Sequence, residues 1–218
     1  MMISASVEDY LKAVYYLQEE TGEVSTSKLS ELLNIQPASV TGMVKRMAGM
    51  NLLLYKPYRK IKLTAKGRRE ALKILRRHRL IELFLVNIMG LPWNRVHDEA
   101  EKWEHVVSDY VVERMEQLLG HPSHDPHGAP IPNKSGTIKR NKSISLAECP
   151  VSAEGIVAEV DDKDADLLHY LEQIGIRPGI KLKIASVESA GGVITIIIGG
   201  KKRIISKKAA NKVYINTD

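Results

Sequence analysis

The chain has 218 residues, a formal net charge of +6, and a composition that is 44% hydrophobic and 27% charged. That is an ordinary soluble globular protein with room for one sizeable domain and a smaller one. It has no run of about 18 apolar residues and no charged-then-apolar leader, so neither a membrane span nor a secretion signal is expected. The single Cys149 forms no internal disulfide, which fits a reducing, cytoplasmic setting.

Val7, Tyr10, Leu11, Val14, Tyr15 and Leu17 recur at helical spacing behind Ser6, predicting a first helix over 6–20 that Gly22 ends. A second helix is expected from Ser25 to Leu33, with Leu29, Leu32 and Leu33 facing inward. Asn34, Ile35 and Gln36 make a tight turn, and Pro37 opens a third helix, over 38–50, that buries Val40, Met43, Val44 and Met47. A strand at 52–55, a basic turn at 56–60 and a returning strand at 61–64 follow. In that order these elements spell a winged helix-turn-helix, and the crowding of Lys and Arg between 45 and 69 suits a polyanion. The start of the third helix, with Gln36, Pro37, Ala38, Ser39 and Thr41, would face base edges in the major groove of double-stranded DNA. Lys45, Arg46, Arg59 and Lys60 would meet phosphates.

A long helix over 65–89 places His78 and Glu82 four residues apart, and Gly90-Leu91-Pro92 breaks it. The next helix is expected from Trp93 or Asn94 to Leu119. It would set His97, Glu101, Glu104 and His105 on one stripe, at i, i+4, i+7 and i+8, with Val96, Ala100, Trp103, Val107 and Val111 as its packing side. Two imidazoles and two carboxylates form a ligand set for Mn²⁺ or Fe²⁺, with Zn²⁺ or Ni²⁺ also fitting; a solvated acidic face is the plain alternative. Leu83, Phe84, Leu85, Ile88, Tyr110, Val111, Met115 and Leu118 predict a helical body. It should form a homodimer, since a palindromic operator needs two readers.

A His-rich loop over 120–132 and a linker over 133–143 lead to a tail of period-two segments at 155–160, 181–184 and 193–198, with a short helix at 165–174. That tail predicts a small β-barrel. The expected fold is mainly α with a β-rich tail, divided 1–64, 65–132 and 144–218. A nucleophile elbow, a phosphate loop and a paired-acid arrangement are all missing, so no enzymatic activity, small-molecule substrate or membrane partner is expected.

Several stretches together carry a family resemblance. They are Glu8-Asp9-Tyr10-Leu11, Ser39-Val40-Thr41, Leu63-Thr64 with Gly67, and Arg77-His78-Arg79-Leu80 with Glu82. Val96-His97-Asp98-Glu99-Ala100, Trp103-Glu104-His105, and Asp125-Pro126-His127-Gly128 with Pro130-Ile131-Pro132 complete the set. Along nearly the whole chain they resemble the diphtheria-toxin-repressor and manganese-transport-regulator family of metal-dependent transcriptional repressors. The resemblance implies a winged-helix DNA-binding domain, a helical dimerisation and metal-binding domain, and an SH3-like (FeoA-like) β-barrel. It implies Fe²⁺ or Mn²⁺ as corepressor, with Zn²⁺, Co²⁺ or Ni²⁺ substituting in vitro, and repression of metal-homeostasis genes.

It also implies a primary site of Asp9, Glu101, Glu104 and His105. The ancillary site would use His78, Glu82 and His97, with Asp125, His127 and either Asp162 or Asp161 as further ligands. Iron-type members carry a methionine at the place of Asp9 and a cysteine at that of Glu101, so this chain is similar to the manganese type. Lys12 stands where the binuclear manganese form has a second acid. An ion joining Asp9 to Glu101, Glu104 and His105 would hold two recognition helices about one turn of DNA apart, roughly 34 Å. Competing readings are a metal-independent winged-helix regulator sensing a small molecule, a metallohydrolase, which would lack a general base, and a peptide-binding adaptor tail.

Overall fold

In the computed structural model, residues 3–56, 59–139, 142–188 and 191–217 are described. The expected wing tip at Pro57 and Tyr58, and Arg140 and Asn141 of the expected linker, lie outside them. The chain forms two compact units. The first comprises Met1–His78, Glu104–Val107 and Pro132–Ile138, and the second Arg79–Trp103, Ser108–Ile131 and Lys139–Asp218.

In the first unit, α1 (Ala5–Thr21) buries Val7, Leu11, Val14 and Tyr15, and starts earlier than expected, with Ser4 rather than Ser6 at its cap. The Ser25 hydroxyl caps α2 (Thr26–Leu33) by accepting from the Lys28 amide. Asn34 then takes a left-handed φ of 53°, and Pro37 occupies the first turn of α3 (Pro37–Gly49). Leu32, expected to face inward, is 45% exposed. The contact of α2 is centred on Leu29 and Leu33, and Leu32 lies about 100° round the helix from Leu33. The wing strands β1 (Leu53–Leu54) and β2 (Lys62–Leu63) pair antiparallel, Leu53 opposite Leu63. Gly67, in the first turn of α4 (Ala65–Asn87), packs so closely that a Cβ there would stand 2.0 Å from the Leu52 carbonyl oxygen. The winged helix-turn-helix thus forms as the sequence predicts.

The single helix expected from residue 93 or 94 to 119 does not form. α5 (Val96–Trp103) ends, residues 104–107 turn, and α6 (Asp109–Leu118) restarts behind Ser108, whose hydroxyl accepts from the Val111 amide. A serine cap inside an otherwise periodic stretch stops one helix and starts another. His97 and Glu101 therefore remain a helical pair, while Glu104 and His105 leave the predicted stripe.

Among the described residues of the second unit, six strands form one antiparallel sheet in the order β3-β8-β4-β5-β6-β7. They are β3 (Ile144–Ser145), β4 (Glu154–Val160), β5 (Lys181–Glu188), β6 (Val193–Ile198), β7 (Lys201–Ser206) and β8 (Val213–Thr217). Breaks in register at Val157/Glu159 and Ile184/Ser186 curl it. Among the described residues β3 and β7 remain its edges, so the predicted barrel is an open curled sheet; a two-residue β3 offers too short an edge to close it. α7 (Ala165–Gln173), capped by Asp164, covers a core of Leu168, Leu171, Ile184, Ile196, Ile205 and Ile215, which Trp93 joins. β7, β8 and α8 (Lys207–Ala210) were not foreseen from the sequence. No helix among the described residues is long and apolar enough to cross a membrane.

Candidate metal centres

Glu104 is fully buried, in the turn created by the break after α5. Within the first unit, His78 Nδ1 donates to Glu104 Oε2 at 2.5 Å and Lys12 Nζ donates to Oε1 at 2.7 Å. Arg77 donates to the Glu104 carbonyl at 2.8 Å and so pins the turn. The next residue reaches α1: His105 Nδ1 lies 2.7 Å from Glu8 Oε2, and Nε2 lies 2.9 Å from Asp9 Oδ1. Asp9, Glu104 and His105 each offer a ligand atom within 4.8 Å of the others.

Burial works to raise the Glu104 carboxyl, but the His78 hydrogen bond and the Lys12 charge outweigh it and hold the group below its ordinary value. Burial likewise opposes charge on His105, yet the Glu8 hydrogen bond and the charges of Glu104 and Asp9 raise its imidazole above the usual value. The sequence reading missed Glu8 as a participant, and it placed Lys12 at this site only as a substitute for a second acid and not as the partner of Glu104. The available signal was their i, i+4 spacing on α1, beside Asp9. Of the residues assigned with this group, Glu101 belongs to the second unit, where its Oε1 lies 3.7 Å from His97 Nε2.

A second cluster lies wholly inside the second unit. Glu82 of α4, Asp125 and His127 of the loop after α6, and Asp162 just beyond β4 bring ligand atoms within 4.8 Å of one another. Asp125 Oδ1 accepts the amides of His127 and Ala129, both at 2.9 Å, and so shapes the loop. Gly128, at φ +89°, is required there: a Cβ would fall 1.9 Å from the Ala158 carbonyl oxygen. The Val160 amide donates to the His127 carbonyl at 2.9 Å, tying the loop to β4. His127 Nε2 donates to the Trp93 carbonyl at 2.8 Å, which leaves Nδ1 as a lone pair with no hydrogen-bond partner among the described residues. Burial and then the charge of Glu82 push Asp125 well above the ordinary carboxylate range, although Arg79 Nε stands 3.3 Å from its Oδ2.

His97 Nδ1 lies 3.3 Å from Glu82 Oε1 and 4.0 Å from Asp162 Oδ2. Asp161, the alternative to Asp162, pairs instead with Lys212 at 2.7 Å. His78, expected in the ancillary set with Glu82 and His97 or else in the primary site, is engaged with Glu104 in the first unit. Three carboxylates, a lone-pair imidazole nitrogen and burial around Asp125 and His127 make a donor set that fits a divalent cation.

On the winged helix, Gln36, Pro37, Ala38, Ser39, Lys45, Arg46 and Arg59 are exposed, as a DNA-facing surface requires. Thr41 is half-buried and returns its hydroxyl to the Pro37 carbonyl at 2.9 Å, while Lys60 is paired with Glu23. Ser25, Thr26 and Lys28 join Lys45 and Arg59 in lining a cleft of about 530 Å³.

Residues 2–61 match the family described as iron dependent repressor, N-terminal DNA binding domain. Residues 64–133 match iron dependent repressor, metal binding and dimerisation domain, and residues 144–217 match the FeoA domain. The iron-dependent repressor IdeR of Mycobacterium leprae is 33% identical over 223 residues, covering 96% of each chain. The diphtheria toxin repressor of Corynebacterium diphtheriae is 32% identical over 206 residues and 90% of each. A solved manganese-dependent transcriptional repressor in complex with manganese is 34% identical, with a TM-score of 0.91 over 97% of this chain and 100% of that one. The motifs, the winged helix and these likenesses agree: the chain belongs to the family of iron-dependent repressors, metal-dependent regulators of transcription.

Proposed function

We propose that this chain represses metal-ion homeostasis genes in the cytoplasm, bound as a homodimer to double-stranded operator DNA when Mn²⁺ or Fe²⁺ occupies its clusters. The observation that carries the reading is the second cluster, where buried Asp125 and an idle His127 nitrogen face Glu82 and Asp162. Asp9, Glu104 and His105, joined by His78, are the proposed ligands of the first centre. Glu82, Asp125, His127 and Asp162, with His97 beside them, are those of the second. Glu101 stays a proposed ligand whose own substitution decides its role. Every donor is oxygen or imidazole nitrogen, and the lone Cys149 is buried in the β-rich core, so the set suits Mn²⁺ and Fe²⁺ better than a thiophilic metal.

A bound divalent ion supplies a positive centre in place of the protons that these groups otherwise share. His105 ties the 104–107 turn to Glu8 and Asp9 on α1, and α1 shares its core with α2 and α3. A change of partner at His105 is therefore felt at the root of the DNA-reading face. By linkage, operator DNA tightens metal binding by the factor by which metal tightens DNA binding. Gln36, Pro37, Ala38, Ser39 and Thr41 are the proposed base readers; Lys45, Arg46, Arg59 and Lys60 are the phosphate contacts. A second copy is proposed to cover Tyr110, Val111 and Leu118, large apolar residues that α6 leaves exposed. The division 1–64, 65–132, linker 133–143 and 144–218 is retained as the functional one.

The test is operator binding followed by fluorescence anisotropy, with Mn²⁺ and Fe²⁺ titrated separately under anaerobic conditions and a chelator control. Glu104→Gln keeps the shape of the side chain but removes its charge. It should abolish metal-dependent operator binding while leaving weak nonspecific binding intact. Operator binding that ignores both the chelator and this substitution would overturn the proposal in favour of a metal-independent regulator.

A further inference from the structure

Trp93 lies in the short connection between α4 and α5, yet its side chain is only 4% exposed and belongs to the core of the β-rich region. Four interactions converge on it. Its carbonyl accepts from His127 Nε2 at 2.8 Å, and its indole stacks on the His127 ring with centroids 5.5 Å apart and planes 27° from parallel. The indole Nε1 donates to Glu172 Oε2 at 3.1 Å, and the Arg177 guanidinium carbon stands 4.9 Å from the indole centroid. Glu172 and Arg177 also pair with each other. One edge and one face of the indole are thus held by α7 and the segment after it, and the indole in turn holds the imidazole.

The consequence for His127 is chemical. A carbonyl can only accept, so Nε2 carries the ring proton and Nδ1 keeps its lone pair. That lone pair has no hydrogen-bond partner among the described residues and belongs to a ring that is fully buried among Glu82, Asp125 and Asp162. A histidine serving only to fill the core gains nothing from an idle buried nitrogen, which ordinarily costs free energy. A histidine waiting for a cation needs this tautomer in this orientation.

We propose that Trp93, clamped by Glu172 and Arg177, is a positioning residue that fixes the tautomer and ring plane of His127 for a divalent cation at the second cluster. The inference rests on the metal reading of that cluster. It adds that cation occupancy there depends on α7 through a side chain that is not itself a ligand. The stack transmits strain in both directions, so disturbing Glu172 or Arg177 at the surface weakens cation binding inside.

The test uses the full chain with ¹⁵N-labelled histidine. In the metal-free wild type, long-range proton–nitrogen correlation should show the His127 ring proton on Nε2. Trp93→Leu keeps the carbonyl that holds the Nε2 proton but removes the stack and the indole donor, so the tautomer should persist while the ring loses its fixed plane. Trp93→Phe retains the stack and should stay near wild type. Calorimetric titration with Mn²⁺ alone should show second-cluster affinity at least about tenfold weaker in Trp93→Leu and first-cluster affinity unchanged. Asp125→Asn identifies which binding phase belongs to which cluster. The surface double variant Glu172→Gln, Arg177→Met should weaken the same phase several-fold and decides the matter if Trp93→Leu fails to fold. Second-cluster binding that ignores these changes would overturn this inference alone. Absence of second-cluster Mn²⁺ uptake in the wild type would overturn the metal reading and the inference together.

Discussion

Glu104 and Asp125 are both buried carboxylates in clusters with imidazoles, yet the chain surrounds them in opposite ways. Around Glu104 it places the Lys12 ammonium at 2.7 Å and an imidazole donor at 2.5 Å, and the group sits below its ordinary pKa. Around Asp125 it places Glu82 and Asp162, with Arg79 as counterweight, and the group sits well above. The His105 nitrogens both meet carboxylates, while His127 keeps one nitrogen idle. The first cluster therefore supplies its own positive charge, and a metal must compete with protons there. The second is short of positive charge, and a metal meets an unfilled requirement. Two clusters with the same donor types can differ in what the empty state costs, and the proposed metal response of each should differ accordingly.

The sharpest way to break this contrast is Lys12→Met. It strips the ammonium from a carboxylate with no solvent exposure, and breaking a buried pair typically costs about 3–5 kcal/mol. Urea unfolding of the metal-free variant at neutral pH should register that loss. Saturating Mn²⁺ should restore more stability to the variant than to wild type, because the ion then answers a charge that Lys12 no longer shares. A loss under about 1 kcal/mol would show that Glu104 is not carrying its charge there, and the contrast would fail.

Asp125→Asn should act with the opposite sign. Its folded pKa lies above the unfolded value, so its favourable contribution is fully present below the unfolded pKa and is lost as pH rises through the folded one. Above the folded pKa the ionised group is a net cost, and there the amide should stabilise the metal-free chain. The wild-type unfolding midpoint should decline with rising pH across that window, and the variant's should not. The same substitution should lower second-cluster Mn²⁺ affinity at least about tenfold, separating fold stability from function at one residue. A destabilised Asp125→Asn chain would mean that Arg79 fully compensates the acid.

The winged helix was legible because its signals are local. Ser25 caps α2, Asn34 supplies the left-handed turn and Pro37 starts α3, each within a few residues of the element it defines. The residue types of the two candidate clusters were legible too, but not their partition. The periodic apolar residues run on from Val96 through Val111, which hides the restart at Ser108 that releases Glu104 and His105 from the helical stripe. Lys12 meets Glu104 across 92 positions of sequence, and no local pattern predicts that. Asp161, the alternative to Asp162, likewise meets Lys212 across 51 positions. β7 went unseen because Lys201, Lys202 and Arg203 read as a basic run, and its adjacent Ile204 and Ile205 blur the alternation.

The smallest expected effect tests the proton side of the contrast. His105 is held above its ordinary pKa, against burial, by the Glu8 hydrogen bond and the neighbouring charges. Its contribution to stability is therefore fully present below the unfolded pKa and is lost as pH rises through the folded one. A ligand to metal must give up that proton, so first-cluster Mn²⁺ affinity should fall by up to about tenfold for each pH unit below the folded His105 pKa, and level off above it. Glu8→Gln removes a carboxylate that holds the proton, so the ratio of affinities between mildly alkaline and mildly acidic buffer should shrink several-fold. The second cluster should keep its own pH profile in that variant, since Glu8 is no part of it. An unchanged first-cluster ratio in Glu8→Gln would place the released proton on another group, and His105 would then differ from His127 in partners but not in chemistry.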